Sequence, residues 1–169
     1  MLKPNIEKIL NEQIEKEGYS SNLYLAMGTW AEANGLPGVA QWLYAQSEEE
    51  RMHMLKFIGY IAERGGHAII PAFKKPPVEY ADIYKLFDEV LKHEQYITES
   101  INDIVGLTLD EKDFSTNNWI QWFVTEQIEE EASVSGIIDK LNLMGKGNNN
   151  LYMFDRDIMS LRSIDSSGQ

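Results

Sequence analysis

Cysteine is absent from the 169-residue chain, and this absence excludes disulfide bonds, thiolate metal sites and thiol redox chemistry. A cysteine-free composition fits a reducing compartment, so we expect a cytoplasmic protein. The N-terminus, residues 1–7, lacks the continuous apolar segment of a signal peptide. There is also no uncharged apolar run long enough to cross a bilayer. We therefore expect no membrane association.

Positive charge is scarce as well. The chain has 15 Lys and Arg against 27 Asp and Glu, which gives a formal net charge of −12 at pH 7. Such a chain repels nucleic acid and anionic membranes and attracts cations. Hydrophobic residues make up 43% of the sequence and aromatic residues 11%, which is typical of a folded globule. Excess acid is usually a solubilising surface, so the positions of the carboxylates decide whether they do more.

Helical periodicity runs through almost the whole chain, without an interdomain linker or a low-complexity stretch. Glycines and prolines at the expected ends of the helices support this interpretation. We predict four long helices and a short fifth one, at about 4–33, 37–64, 82–109, 116–144 and 149–163.

The connection between the second and third helices, about residues 65–81, is long enough to run the length of the bundle. These two helices can therefore be parallel, whereas the other, short connections require antiparallel neighbours. One long crossover among four long helices is the arrangement of ferritin-like bundles. We predict an all-α, ferritin-like four-helix bundle at about 4–145, followed by a short fifth C-terminal helix, within a single domain, 1–169.

Each long helix carries an apolar stripe at steps of three and four residues, and a carboxylate interrupts each stripe near its middle. The interrupting residues are Glu17, Glu50, Glu94 and Glu130. Burying an unpaired carboxylate costs on the order of several kcal/mol. Neither lysine nor arginine lies on these stripes, and His53 is the inward basic group. Divalent cations are the expected compensation, and oxygen ligands with one imidazole suit iron, manganese or zinc.

A Glu-x-x-His pair, Glu50 and His53, places two ligands on one face of the second helix. Di-iron bundles combine single glutamates from two helices with such a pair from each of the other two. The fourth helix has Gln127-x-x-Glu130 instead of a second pair, so we expect one metal position to be carboxylate-only and weaker. A lone Glu-x-x-His is commonly a surface pair, but four acids at one level of the bundle favour a metal site.

Further carboxylates flank these predicted ligands. Glu126 and Glu129 flank the inward Glu130 on one side, and Glu49 likewise flanks Glu50. Such a run is by default a solvated acidic face. Because this acidic run lies beside the predicted inward ligands, we predict a third cation site there.

Other side chains receive different interpretations. His67 and His93 are predicted not to be ligands. Tyr24, two turns from Glu17, either hydrogen-bonds a ligand or donates an electron, or is simply a packed aromatic residue. Large apolar residues off the inward stripes are expected at subunit contacts, and these are Trp30, Trp42, Tyr44 and Phe73.

Taken together, these motifs resemble bacterial non-haem ferritins over nearly the whole chain. The matching segments are Glu17-Gly-Tyr-Ser-Ser-Asn-Leu-Tyr24, Glu49-Glu50-x-x-His53-Met54, Lys92-His93-Glu94-Gln95 and Trp122-(x)3-Glu126-Gln127-x-Glu129-Glu130-Glu131. The resemblance implies a hollow shell of twenty-four identical subunits. In such a shell ferrous iron is oxidised by dioxygen or hydrogen peroxide and stored as a ferric mineral.

The resemblance also implies a role for each matching residue, including a redox role for Tyr24. Site A would consist of Glu17, Glu50 and His53. Site B would consist of Glu50, Glu94 and Glu130, with Gln127 next to the bound oxygen species. Site C, the third iron site, would consist of Glu49, Glu126, Glu129 and Glu130.

Departures from related families narrow the assignment. Bacterioferritins carry a haem-binding methionine directly after the ligand glutamate, but this chain has Arg51 there, with Met52 one residue further on, so we expect no haem. Rubrerythrins need a cysteine-rich module, which this cysteine-free chain lacks. DNA-binding mini-ferritins hold their metals at a subunit interface and lack the ligand set that is predicted here inside the bundle. Three functions then compete: an iron-storing ferroxidase, a peroxide-consuming di-iron oxidase without storage, and an inert helical scaffold whose acids face outward.

Overall fold

The computed structural model describes residues 2–162, and within this range the regular structure is entirely helical. The elements are α1 (Pro4–Ala33), α2 (Pro37–Glu63), α3 (Ile83–Asp110), α4 (Phe114–Met144), α5 (Asn148–Asp157) and a 3-10 helix (Ile158–Leu161). The predicted all-α class and all four long helices are confirmed. The fifth helix is shorter than predicted, because the chain tightens into the 3-10 helix after Asp157. Its predicted end at Ser163 lies outside the described residues.

Local sequence explains where the long helices begin and end. Proline stands in the first turn of both α1 and α2, where its missing N–H costs nothing. Asp82 and Asp113 cap α3 and α4 by accepting hydrogen bonds from backbone N–H groups three residues later. The Asp113 cap accounts for α4 starting two residues before the predicted Thr116. At the other end of α4, Gly145 adopts φ +72°, a conformation that favours glycine.

The directions of the helices follow from their connections and side-chain contacts. Short turns join α1 to α2 and α3 to α4, so each of these pairs is antiparallel. Lys16 bonds to Ser100, whereas Ser20, one turn later on α1, bonds to His93, which lies earlier on α3. α1 is therefore antiparallel to α3 as well. Because α1 opposes both of them, α2 and α3 are parallel, as predicted.

The crossover between α2 and α3 follows α1 along most of its length. The contacts that mark its path are, in chain order, Ile69 with Asn11, Phe73 with Gly18, and Tyr80 with Trp30. A Cβ atom on Gly18 would lie 2.3 Å from the Phe73 ring, so glycine is what allows this close approach. The long connection therefore leads the chain back to the end of the bundle where α2 began.

A polar layer divides the apolar core into two clusters. One cluster surrounds Trp42 and Phe87, and the other surrounds Phe57 and Phe123. Every residue of the predicted inward stripes, polar or apolar, is buried. The four interrupting glutamates lie on these stripes between the two clusters, so the core is built around a buried polar site.

Trp42 corrects one expectation from the sequence. It was expected at a subunit contact, but it is fully buried and meets Phe87 edge-on at 5.6 Å between ring centroids. Phe154 of α5 belongs to the same cluster, so the returning C-terminal segment helps to cover this part of α2. Trp30, Tyr44 and Phe73 are partly buried, and their role at subunit contacts stays a prediction.

None of the helices within residues 2–162 could span a bilayer.

α5 docks on the start of α2, which lacks a side-chain cap of its own because its N-cap residue is Leu36. Asp155 supplies the missing acceptor: its Oδ1 accepts a hydrogen bond of 2.8 Å from Val39 N–H. Gly38 permits the approach, since a Cβ atom there would lie 1.8 Å from the Asp155 carbonyl oxygen. This docking holds the segment that follows α5, including Arg162, against α2.

Replacing Asp155 by alanine should remove this distant cap and lower the free energy of unfolding by about 1 kcal/mol. The matched control is Asp157→Ala, because Asp157 is exposed and pairs with the neighbouring Arg156. Thermal unfolding should show a lower Tm for Asp155→Ala than for Asp157→Ala. Equal Tm values for the two variants would contradict the capping role.

Candidate metal centre

The four interrupting glutamates are all buried, one on each long helix. Their exposed fractions are 1% for Glu17, 1% for Glu50, 0% for Glu94 and 6% for Glu130. The hypothesis of an inert scaffold with outward-facing acids is therefore wrong. Buried carboxylates of this kind need a hydrogen-bond donor, a proton or a cation as partner.

Glu17, Glu50 and His53 form the most complete ligand group. One potential ligand atom from each lies within 4.8 Å of the others, and His53 Nδ1 lies 3.5 Å from Glu50 Oε2. With both carboxyls ionised, Glu17 Oε2 and both oxygens of Glu50 accept no hydrogen bond, and a proton on either carboxyl would be shared between the two. Such unpartnered buried oxygens are rare, and a cation between them would satisfy them. The residues present therefore fit a metal ion.

The other oxygen of Glu17 is held by a relay of polar side chains. Gln13 Nε2 donates a hydrogen bond of 2.9 Å to Glu17 Oε1, and Ser100 Oγ donates to Gln13 Oε1 at 2.5 Å. Lys16 Nζ in turn donates to Ser100 Oγ at 2.5 Å. The relay fixes the orientation of the Gln13 amide, so that Glu17 Oε2 is left for a cation. Gln13 is buried on the same face of α1 as Glu17, but no role for it was predicted from the sequence.

Glu94 differs from Glu17 and Glu50, because both of its carboxylate oxygens have partners within the chain. The Tyr24 hydroxyl donates to Glu94 Oε1, and Gln127 Nε2 donates to Glu94 Oε2 at 3.2 Å. Tyr24 is thus a hydrogen-bond partner of a predicted ligand, which is one of the alternatives open from the sequence. Its redox role and the position of Gln127 beside an oxygen species stay predictions.

Burial and mutual repulsion raise the pKa of these carboxyls. Burial raises the pKa of Glu17 and of Glu50 well above the ordinary value of 4.5, and the negative charge of a neighbouring glutamate adds to each shift. Burial, then Glu94 and Glu49, raise the pKa of Glu130 to about 8. In the metal-free chain, these carboxyls therefore hold their protons to a higher pH than exposed glutamates do.

Aromatic rings pack around His53 and His93, whereas His67 has no such environment among the described contacts. Trp122 lies edge-on to His53, with 5.5 Å between ring centroids, and it is partly buried against the core cluster around Phe57 and Phe123. His67 is exposed in the crossover. His93 bonds to Ser20 through Nε2 at 2.7 Å, and burial lowers its pKa to about 4. Neither His67 nor His93 belongs to a ligand group within the described residues.

A second ligand group lies beside the first. Potential ligand atoms of Glu49, Glu126 and Glu130 lie within 4.8 Å of one another. Glu129 is exposed and lines the same small cavity. The structure thus brings the predicted third-site residues together, with Glu129 at the margin.

Arg162 also lines this cavity, and it is the residue that sequence reasoning missed. The stripes of the long helices contain no lysine or arginine, which suggested that no basic side chain other than His53 reaches the acids. Arg162 instead enters from the segment after α5 and forms an ion pair with Glu49. No sequence signal links two residues so far apart in the chain.

A four-helix bundle with one long crossover and a buried group of carboxylates with one histidine defines the ferritin-like class. The model of the ferritin-like domain family matches residues 7–144. A probable bacterial non-haem ferritin-like protein of Haemophilus influenzae is 42% identical over 161 residues, which cover 95% of this chain and 98% of that protein. A bacterial non-haem ferritin of Campylobacter jejuni is also 42% identical, with 95% and 96% covered.

Solved structures give the same result. The open-pore ferritin of Archaeoglobus fulgidus superposes with a TM-score of 0.93 and 38% identity, covering 96% of this chain and 100% of that chain. The chain therefore belongs to the ferritin family, and the bacterial non-haem ferritins are among its relatives.

The raised pKa values generate a prediction on stability. A carboxyl whose pKa is higher in the folded chain stabilises it at low pH, and this contribution is lost as the pH rises above the ordinary pKa of 4.5 and through the raised pKa of the folded chain. We therefore expect Glu50→Gln, which removes one of these acids, to raise the Tm of metal-free protein at pH 8 by a few degrees, at roughly 2–4 °C per kcal/mol. At pH 5 the difference from the unmodified protein should be small.

The control is Glu48→Gln, because Glu48 neighbours the site in sequence but is exposed. Its Tm should follow that of the unmodified protein at both pH values in the presence of a chelator. Parallel pH profiles for Glu50→Gln and Glu48→Gln would contradict the electrostatic account of the site.

Proposed function

We propose that this protein is an iron-storage ferritin with ferroxidase activity. It oxidises Fe²⁺ at a di-iron centre inside each subunit and stores the ferric oxyhydroxide in a hollow shell of twenty-four identical subunits. The observation that carries the proposal is the convergence of Glu17, Glu50 and His53, with three buried carboxylate oxygens that lack donors. The proposal treats residues 1–169 as a single ferritin-like domain. It includes a cytoplasmic location, which the cysteine-free composition fits.

Iron is the substrate at two adjacent positions. Glu17, Glu50 and His53 would bind the first ferrous ion, and Glu50 would share the second with Glu94 and Glu130. The electrostatic coupling of Glu50 to both Glu94 and Glu130 supports this sharing. Two ferrous ions held together supply two electrons, which with two protons reduce one dioxygen to hydrogen peroxide. Binding of the ions displaces the protons that these carboxyls hold.

The surrounding side chains would hold the ligands in position. Tyr24 and Gln127 each donate to one oxygen of Glu94, which limits how Glu94 can turn toward a metal. Tyr24, which is hydrogen-bonded to Glu94, would also supply an electron. Hard oxygen ligands favour the ferric product over the ferrous substrate.

Storage and assembly rest on the family and on the surface of the chain. Relatives named as ferritins match over nearly their whole length. Apolar side chains of the crossover are more than half exposed, namely Ile69, Ile70 and Val78. Ile69 and Ile70 are adjacent in the chain, and exposed apolar residues of this kind suit burial against another subunit. Glu49, Glu126, Glu129 and Glu130 would form the third iron site, through which oxidised iron leaves the pair.

His53→Ala should slow the first, rapid phase of iron oxidation by about tenfold or more, because one metal position loses its nitrogen ligand. His67→Ala is the matched control, since His67 is an exposed histidine in the crossover. Stopped-flow absorbance after mixing with two ferrous ions per subunit gives the initial rate. An unchanged rate in His53→Ala would remove this histidine from the site.

Storage is tested by aerobic addition of many ferrous ions per subunit, followed by size-exclusion chromatography. A storage protein should elute as a large assembly that carries iron far above three ions per subunit. Turnover without retained iron would instead identify the peroxide-consuming di-iron oxidase that the sequence left open. If the protein showed no turnover and retained no iron, both functions would be contradicted.

A further inference from the structure

Arg162 follows the 3-10 helix and turns back toward the middle of α2. Its guanidinium contacts three acceptors of that helix. Nη1 donates to Gln46 Oε1 at 2.6 Å and to the Trp42 carbonyl oxygen at 3.4 Å, and Nη2 pairs with Glu49 Oε2. The side chains of Arg162 and Glu49 are each 21% exposed. This is a specific, partly buried contact rather than a mobile surface pair.

Gln46 extends the contact to a predicted iron ligand. Its Oε1 accepts from Arg162, while its Nε2 donates a hydrogen bond of 2.8 Å to Glu130 Oε2. Because one end of the amide is held by the guanidinium, the other end must present its N–H groups to Glu130. Arg162 thus acts directly on Glu49 and, through Gln46, on Glu130.

The cavity at this point is small and strongly acidic. It encloses about 30 Å³, which is room for a water-sized particle. Among its described lining residues, Arg162 is the only basic one. The acidic ones are Glu49, Glu126, Glu129 and Glu130. A guanidinium bound to Glu49 therefore supplies positive charge where a metal ion would bind.

We propose that Arg162 is the resident cation of the third site in the iron-free chain, and that an incoming metal ion must displace it from Glu49. This inference rests on the proposed function and deepens it. Arg162 is a positioning residue that weakens cation binding at the third site relative to the two-ion centre. The position of the segment after α5 is thereby coupled to occupancy of the third site, since displacement of Arg162 also releases Gln46.

Zinc is a suitable probe, because it binds oxygen and nitrogen ligands without redox chemistry. Crystals of the assembled protein are equilibrated with a series of Zn²⁺ concentrations, and anomalous scattering at the zinc edge gives the occupancy of each position. Arg162→Gln should reduce the Zn²⁺ concentration for half-occupancy beside Glu49, Glu126 and Glu130 by about tenfold or more. Occupancy beside Glu17, Glu50 and His53 should stay unchanged.

The matched control is Arg156→Gln, because Arg156 is exposed on α5 and its guanidinium pairs with the neighbouring Asp157. It should leave all three positions unchanged. Arg162→Lys keeps the charge and should lie between Arg162→Gln and the unmodified protein. It also gives a variant in which the docking of α5 is less disturbed.

Equal third-site occupancy in Arg162→Gln and Arg156→Gln would overturn the proposal. So would loss of zinc from all positions in both Arg162 variants, because Arg162 would then be a structural residue of the whole bundle. Failure of the proposed function gives a different result, in which the unmodified protein binds no zinc at Glu17, Glu50 and His53.

Discussion

Four carboxylates share one level of this bundle, and their desolvation and mutual repulsion constrain the structure around them. Each buried acid favours its protonated form, and each one discourages ionisation of its neighbours. Two apolar clusters, one on either side of this layer of buried carboxylates, provide hydrophobic stabilisation that offsets the cost of burying the acids. A bound pair of ferrous ions, as proposed, would relieve the same repulsion. The site is thus unfavourable for the metal-free fold and favourable for its proposed substrate.

The buried acids differ in how many hydrogen bonds their carboxylate oxygens accept, and this difference determines how freely each acid can bind a metal ion. Glu94 receives hydrogen bonds at both oxygens, whereas Glu50 receives none. Glu50 can therefore bridge two ions with little competition from the protein. Glu17 is intermediate, with one oxygen held by Gln13 and one left for a cation. At the edge of the layer, Arg162 takes the role of counter-ion for Glu49.

Much of this arrangement could be predicted from the sequence, because the features concerned are local or periodic. Long helices with a heptad-like stripe fix their own inward face, so the burial of Glu17, Glu50, Glu94 and Glu130 followed from spacing alone. The length of the crossover allowed α2 and α3 to be parallel, and the short turns required the other neighbouring helices to be antiparallel. The family resemblance then grouped the ligands, and the structure brings together Glu17, Glu50 and His53.

What could not be predicted depends on contacts between residues far apart in the chain. The cap that Asp155 gives to α2, the burial of Trp42 and the ion pair of Arg162 with Glu49 all come from the return of the C-terminal segment. No periodicity connects that segment to α2. The relay from Lys16 through Ser100 to Gln13 was missed for a related reason. Neutral polar side chains on an inward stripe give no sign of which partner orients them.

The central claim is that ferrous iron, not a proton or a basic side chain, is the functional counter-ion of the buried acids. Anomalous diffraction at the iron edge, from crystals soaked anaerobically with Fe²⁺, tests it most directly. Two peaks inside each bundle, one contacting Glu17, Glu50 and His53 and the other contacting Glu50, Glu94 and Glu130, are the expected result. Iron bound only at surface carboxylates, with no peak between the two apolar clusters, would contradict the account.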